Sequence, residues 1–189
     1  MVFRIIFIGD KACGKSSIIR RYCENDFTTI YSPSLTIERY DRIKICSSDI
    51  FVDLQLWDTS SIWHDNIIKQ YFAGMHCVVI IFDVNDEGAC ANIKKWHNLI
   101  VNFVIDSNIS NPEIFVVGNK IDNRERHLKD NVAFIKQITN NPYIEVSAKT
   151  GNGISKLFHE ISYRLIKMHP ESFKEKNLFR CAFCLCCIL

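Results

Sequence analysis

An apolar, β-branched run near the N-terminus, Val2–Ile8, passes directly into Gly9-Asp10-Lys11-Ala12-Cys13-Gly14-Lys15-Ser16 and then into a segment of helical character, Ser17–Cys23. The octet fits G-x-x-x-x-G-K-[ST] between a strand and a helix, the setting that the pattern requires. A loop of this length turns successive backbone N–H groups toward one point, and the helix N-terminus behind it adds a field that favours an anion. The spacing predicts that Lys11, Ala12, Cys13, Gly14, Lys15, Ser16 and Ser17 surround a β-phosphate. Lys15 would bridge β- and γ-phosphate oxygens, and the Ser16 hydroxyl would ligate Mg²⁺. The bland alternative, a glycine-rich surface turn, does not account for the strand before it and the helix after it.

Short β-branched and aromatic runs alternate with longer segments of helical period, which predicts an α/β fold on a largely parallel sheet. The expected strands are Val2–Ile8, Asp41–Cys46, Ile50–Trp57, Cys77–Asp83, Glu113–Gly118 and Tyr143–Val146. Only Ser47, Ser48 and Asp49 separate the second from the third, so these two form an antiparallel hairpin and the sheet is mixed. Ile93, Trp96, Ile100 and Phe103 recur at helical spacing, as do Ile154, Leu157, Phe158, Ile161, Leu165 and Met168; both sets are expected as core stripes without a functional role. Gly151-Asn152-Gly153 marks the start of the last helix and Pro170 its end. The expected organisation is one domain over 1–168 and a tail over 169–189.

Composition supports this and narrows the partners. A chain of 189 residues that is 48% hydrophobic can bury a full core, and a net charge of +2 gives no electrostatic case for nucleic acid. The expectation is a monomer. No stretch approaches the ~20 apolar residues of a spanning helix, and the N-terminus lacks a signal-peptide cleavage site, so an intracellular protein is expected. Cys13, Cys23, Cys46, Cys77 and Cys90 are scattered as reduced thiols would be.

Two further motifs fall at strand ends. Asn119-Lys120-Ile121-Asp122 follows the fifth strand and Ser147-Ala148-Lys149 the sixth, on the carboxyl edge where ligands bind. The Asp122 carboxylate can accept from guanine N1–H and the 2-amino group, a pair that adenine does not offer. The Ala148 N–H can donate to guanine O6, and Lys120 can lie over the base.

The phosphate loop, Trp57-Asp58-Thr59, Asn119–Asp122 and Ser147–Lys149, in this order, resemble the Ras superfamily of small GTPases over roughly residues 1–168. Trp57 before Asp58-Thr59, the stretch Phe82-Asp83-Val84-Asn85-Asp86, and Trp96 are most similar to the Rab branch. The resemblance implies a three-layer P-loop NTPase fold: a mixed, mostly parallel six-stranded sheet flanked by helices. It implies GTP/GDP and Mg²⁺ as ligands, Asp58 holding the metal through water, Phe27 packing against guanine, and two switch loops pinned by the γ-phosphate. It also implies an exchange factor, an activating protein, a prenyl-shielding chaperone and effectors as partners, at the cytoplasmic face of an intracellular membrane. A P-loop kinase conflicts with Asn119–Asp122 and lacks a lid segment.

Departures from the family fall where hydrolysis happens. The first-switch hydroxyl that ligates Mg²⁺ is Ser34 by the count from Ser16, or Thr36 by the local string Leu35-Thr36-Ile37. In the second switch, Ser61 stands at the usual Gly and Ile62 at the Gln that orients the attacking water. The groups expected to contact the transferring phosphate are therefore Lys15, Ser34 or Thr36, and Ser61. Losing one preorganised polar group typically costs about 3 kcal/mol, or ~10² in rate, so slow turnover is expected. His64 or Asp65 are the remaining candidates to position water. Lys11 either crowds the γ-phosphate side or supplies charge in cis, and Ala12 replaces a usual Gly.

Four cysteines, Cys181, Cys184, Cys186 and Cys187, crowd into the last nine residues. A zinc cluster would have poor tetrahedral geometry with adjacent cysteines this near a free end. Cys186-Cys187-Ile188-Leu189 fits C-a-a-X with a terminal Leu and resembles double-cysteine Rab ends, so Cys186 and Cys187 are the expected prenylation sites. Two such chains anchor stably where one is marginal. Two readings follow: a cycling, membrane-anchored GTPase of vesicle traffic, or a GTP-loaded, non-cycling docking module.

Overall fold

The computed structural model describes residues 1–30, 37–47, 50–59, 69–123 and 131–170. Six strands, β1 (Val2–Gly9), β2 (Glu38–Ser47), β3 (Ile50–Asp58), β4 (Cys77–Asp83), β5 (Glu113–Asn119) and β6 (Ile144–Glu145), form one sheet in the order β2-β3-β1-β4-β5-β6. β2 and β3 pair antiparallel; every other pairing is parallel. Among the described residues the complete helices are α1 (Lys15–Glu24), α2 (Ala89–Ser107), α3 (Asn131–Ile138) and α4 (Ile154–Met168).

Apart from Arg4 near its start, β1 is apolar because both of its faces are covered. Its residues nevertheless sort with period two. Phe3, Ile5 and Phe7 join α1 (Ile18, Ile19) and α4 (Leu157, Phe158, Ile161, Leu165) in one core, while Ile6 and Ile8 join Phe72 and α2 (Ile93, Trp96, Ile100) in the other. Each such fully buried side chain contributes about 1.5–3 kcal/mol, so the strand that carries the phosphate loop is fixed from both sides. Register then sets the site: Phe7 pairs with Asp58, Gly9 with Ile81, and Asp83 with Asn119. The carboxyl ends of four strands thus lie side by side.

The mixed six-stranded sheet and the hairpin match the expected architecture. β2 begins earlier than expected, because its ladder with β3 runs from Glu38↔Asp58 to Ser47↔Ile50. β6 is shorter, only Ile144–Glu145 paired with Val117 and Gly118 at the sheet edge. Met168, expected in the core stripe, is 58% exposed because α4 has run past the sheet by its last turn. α3 had no counterpart in the sequence pattern; its eight residues are too few to establish a helical period.

Candidate functional site

The phosphate loop is built by positive φ. Gly9 (147°), Ala12 (61°) and Gly14 (97°) alternate with ordinary residues and curl the chain from β1 into α1. At Gly14 a Cβ would lie 2.2 Å from Asn119 Nδ2, and at Gly9 2.1 Å from the Ile81 carbonyl, so both positions need glycine for space as well as angle. Lys15 is buried, and its ammonium donates to the carbonyls of Gly9 (2.9 Å) and Asp10 (3.0 Å), lying across the concave side of the loop. Cys13 is buried with its Sγ 4.0 Å from Lys15 Nζ, and burial pushes its thiol pKa up, which keeps it neutral. Among the described residues Cys13, Cys23, Cys77 and Cys90 are free thiols, as expected.

Asn119 joins this loop to the second motif. Its Nδ2 donates to the Cys13 carbonyl (2.9 Å), and its Oδ1 accepts the Ala148 N–H (3.1 Å). The N–H expected to meet guanine O6 is therefore already engaged, and a base carbonyl there would share it with Asn119. Ser147 Oγ donates to Asp122 Oδ1 (2.6 Å) and Lys149 Nζ lies 3.8 Å from Asp122 Oδ2, so one carboxylate edge is oriented by the neighbouring motif. Lys120, at φ 69°, sends its Nζ to Asp83 Oδ2 (2.8 Å). Burial works to raise the Asp83 pKa, but the bonds from Lys120 and Asn85 hold it below its ordinary value. A cleft of about 170 Å³ on this flank is lined by Asp10, Lys11, Ala12, Cys13, Asp83 and Lys120, among others.

Asp58 is the exception. It is fully buried, and the described residues offer its carboxylate oxygens little beyond the Ser16 hydroxyl. Burial pushes its pKa up, against the pull of the Ser16 hydroxyl and the Lys15 ammonium. A buried carboxylate short of donors, beside a hydroxyl at a helix N-terminus, is the donor set that suits a hard divalent cation. The residues present thus fit Mg²⁺, with Ser16 and Asp58 as its holders. The next residue, Thr59, donates its hydroxyl to the Phe7 carbonyl (2.6 Å) and anchors the end of β3 to β1.

Phe27 is half-buried against the α1/α4 core, with the Arg21 guanidinium 5.9 Å from its ring. Ser34, Thr36, Ser61, Ile62, His64, Asp65, Cys181, Cys184, Cys186 and Cys187 lie outside the described residues. Two contributors to the site were not anticipated. Trp96, expected only as a core residue, donates its indole N–H to Asp10 Oδ1 (3.1 Å) across 86 positions of sequence. A buried tryptophan needs a partner for that N–H, and this was the available signal. The other is Arg21, described below. Among the described residues no helix is long and apolar enough to cross a membrane.

The model of the Ras family matches residues 4–167. The chain is 28% identical to Ras-related protein Rab-9A of Homo sapiens, over 90% of this chain and 86% of that protein. It is 31% identical to Ras-related protein RabC of Dictyostelium discoideum, over 84% and 81%, and 30% identical to Ras-related protein Rab-7B of the same organism, over 85% and 81%.

Proposed function

This chain belongs to the Ras family, and from that premise we propose that it is a Rab-like small GTPase that binds GTP and GDP, hydrolyses GTP slowly, and acts from a lipid anchor in vesicle traffic. The observation that carries the guanine reading is Asn119, whose two bonds join the phosphate loop to the Ser147–Lys149 motif while Ser147 orients Asp122. Asp122 faces the base with one oxygen directed by a hydroxyl, which favours the double donor edge of guanine. The loop N–H groups and Lys15 bind the phosphates. Ser16, Asp58, and Ser34 or Thr36 would hold Mg²⁺, which would supply positive charge against the phosphates.

Slow turnover rests on Ile62 and Ser61, since an isoleucine cannot orient water and a serine lacks the freedom of Gly at positive φ. Residues 1–168 form the nucleotide-binding domain, and 169–189 a tail prenylated at Cys186 and Cys187. That tail places the protein at the cytoplasmic face of an intracellular membrane, with a chaperone-bound soluble pool. Exchange factors, an activating protein and effectors are its partners.

The test is single-turnover GTP hydrolysis with Mg²⁺, after loading is confirmed and ATP shown not to compete. A nearly inert wild type with turnover restored by about ~10²-fold in Ile62→Gln supports the reading. Equal, ordinary rates in both proteins would overturn the assignment of the second switch. If an activating protein fails to accelerate either form, the second reading, a GTP-loaded docking module, takes its place.

A further inference from the structure

We infer that Arg21 is a positioning residue for guanine recognition, clamping the two walls of the base site to each other from the far end of α1. The inference rests on the guanine reading above. Arg21 lies five residues after Ser16 on the helix whose first turn serves the phosphates. Its Nε donates to the Ala148 carbonyl (2.9 Å) and its Nη2 to the Lys149 carbonyl (2.9 Å), a fork that spans successive peptides of a motif 127 positions away. Its Nη1 donates to the Asn25 carbonyl (2.8 Å), with Asn25 Oδ1 at 3.4 Å, and its guanidinium carbon lies 5.9 Å from the Phe27 ring.

The ordinary role of an arginine near a helix C-terminus is to meet the helix's own last carbonyls. The Asn25 bond fits that role, since Asn25 caps α1 with its own N–H on the Arg21 carbonyl (3.1 Å). The fork on Ala148 and Lys149 does not, because those carbonyls belong to the opposite side of the site. Around Ala148 every peptide plane is held. Gly151 N–H donates to the Ser147 carbonyl (2.8 Å), Ala148 N–H to Asn119, and Thr150 N–H to Ser147 Oγ (3.1 Å); Arg21 takes the two carbonyls between. Without Arg21 the Ala148–Lys149 and Lys149–Thr150 planes lose their charge-assisted bonds. The plane that carries the Ala148 N–H keeps its bonds to Asn119 and from Gly151, but the turn that follows it is loosened, and the direction in which that N–H meets guanine O6 is less tightly fixed. Lysine cannot replace it, since a single ammonium does not match two carbonyls and a third beyond them.

The experiment compares wild type with Arg21→Lys in the full chain, measuring release of GDP and of 6-thio-GDP. The thio analogue keeps the N1–H and 2-amino edge for Asp122 but presents sulfur, a weak acceptor, to Ala148. Arg21→Lys is expected to release GDP about 10- to 100-fold faster, because charge-assisted bonds are lost. The preference for GDP over the thio analogue should shrink severalfold, while the ratio of release rates with and without Mg²⁺ stays unchanged. Arg21→Gln, which keeps one N–H donor and no fork, should shift in the same direction. An arginine that merely stabilises the fold would lower the melting temperature without moving the analogue ratio. Wild-type release of GDP by both variants, or equal acceleration of both nucleotides, would overturn the inference. A wild type that binds ADP as well as GDP would instead overturn the guanine reading, and the clamp with it.

Discussion

The two ends of the nucleotide site are held in opposite ways. At the base end nearly every polar group is tied to the protein: Asn119 at both amide atoms, Asp122 by Ser147 and Lys149, Lys120 by Asp83. At the metal end Asp58 is buried with little beyond the Ser16 hydroxyl to meet its two oxygens. The base end is thus preorganised, and its selectivity does not wait for a ligand to arrange it. The metal end carries a poorly compensated charge that costs stability. On the proposed reading, recognition and loading are separable properties of one cleft, and nucleotide with Mg²⁺ would stabilise the fold through mass action.

The largest effect should come from removing the charge at the metal end. Asp58→Asn is expected to weaken the tightening of GDP binding by Mg²⁺ by about 10- to 100-fold. It should also raise resistance to urea by about 2 kcal/mol when neither nucleotide nor metal is present. Titrating GDP affinity with Mg²⁺, beside urea melts of the ligand-free protein, tests both halves. A loss of ligand-free stability would mean that the Ser16 hydroxyl and the Lys15 ammonium already compensate Asp58, and the contrast between the ends would disappear. At the base end Asn119→Ala should behave oppositely, destabilising the ligand-free protein by about 2 kcal/mol, since the Cys13 carbonyl and the Ala148 N–H lose their partner inside the protein. Urea denaturation with the same protocol gives the comparison directly.

The smallest effect concerns the loop between the ends. An L-residue at positive φ costs about 1–2 kcal/mol, and glycine gives back about 0.5–1 kcal/mol through the unfolded chain. Ala12→Gly, at φ 61°, should therefore stabilise the ligand-free protein by about 0.5 kcal/mol, as thermal melts would show.

How far the sequence exposed these features follows from their range along the chain. The phosphate loop is contiguous, and its glycines are required by clashes that the spacing already encodes. Asn119, Asp122 and Ser147 were recognisable because each belongs to a short motif at a strand end. The tethers between motifs were not. Nothing local to Arg21 announces carbonyls 127 and 128 positions away, and an amphipathic stripe treats Trp96 as apolar surface although its N–H reaches Asp10. The scarcity of donors around the buried Asp58 is likewise a property of what surrounds it after folding. α3 escaped because eight residues give little periodicity.

The sheet ends in two unequal borders. β6 offers only Ile144–Glu145, whereas β2 offers ten residues and among the described strands pairs with β3 alone. Its exposed residues Glu38, Arg39, Asp41 and Arg42 alternate in sign in pairs, with Arg39 and Asp41 3.2 Å apart. Charges on a border strand discourage edge-to-edge association. For a protein proposed to gather by its tail on a membrane, where copies meet in two dimensions at high local density, that border determines whether crowding leaves them as separate molecules or zips them into a shared sheet.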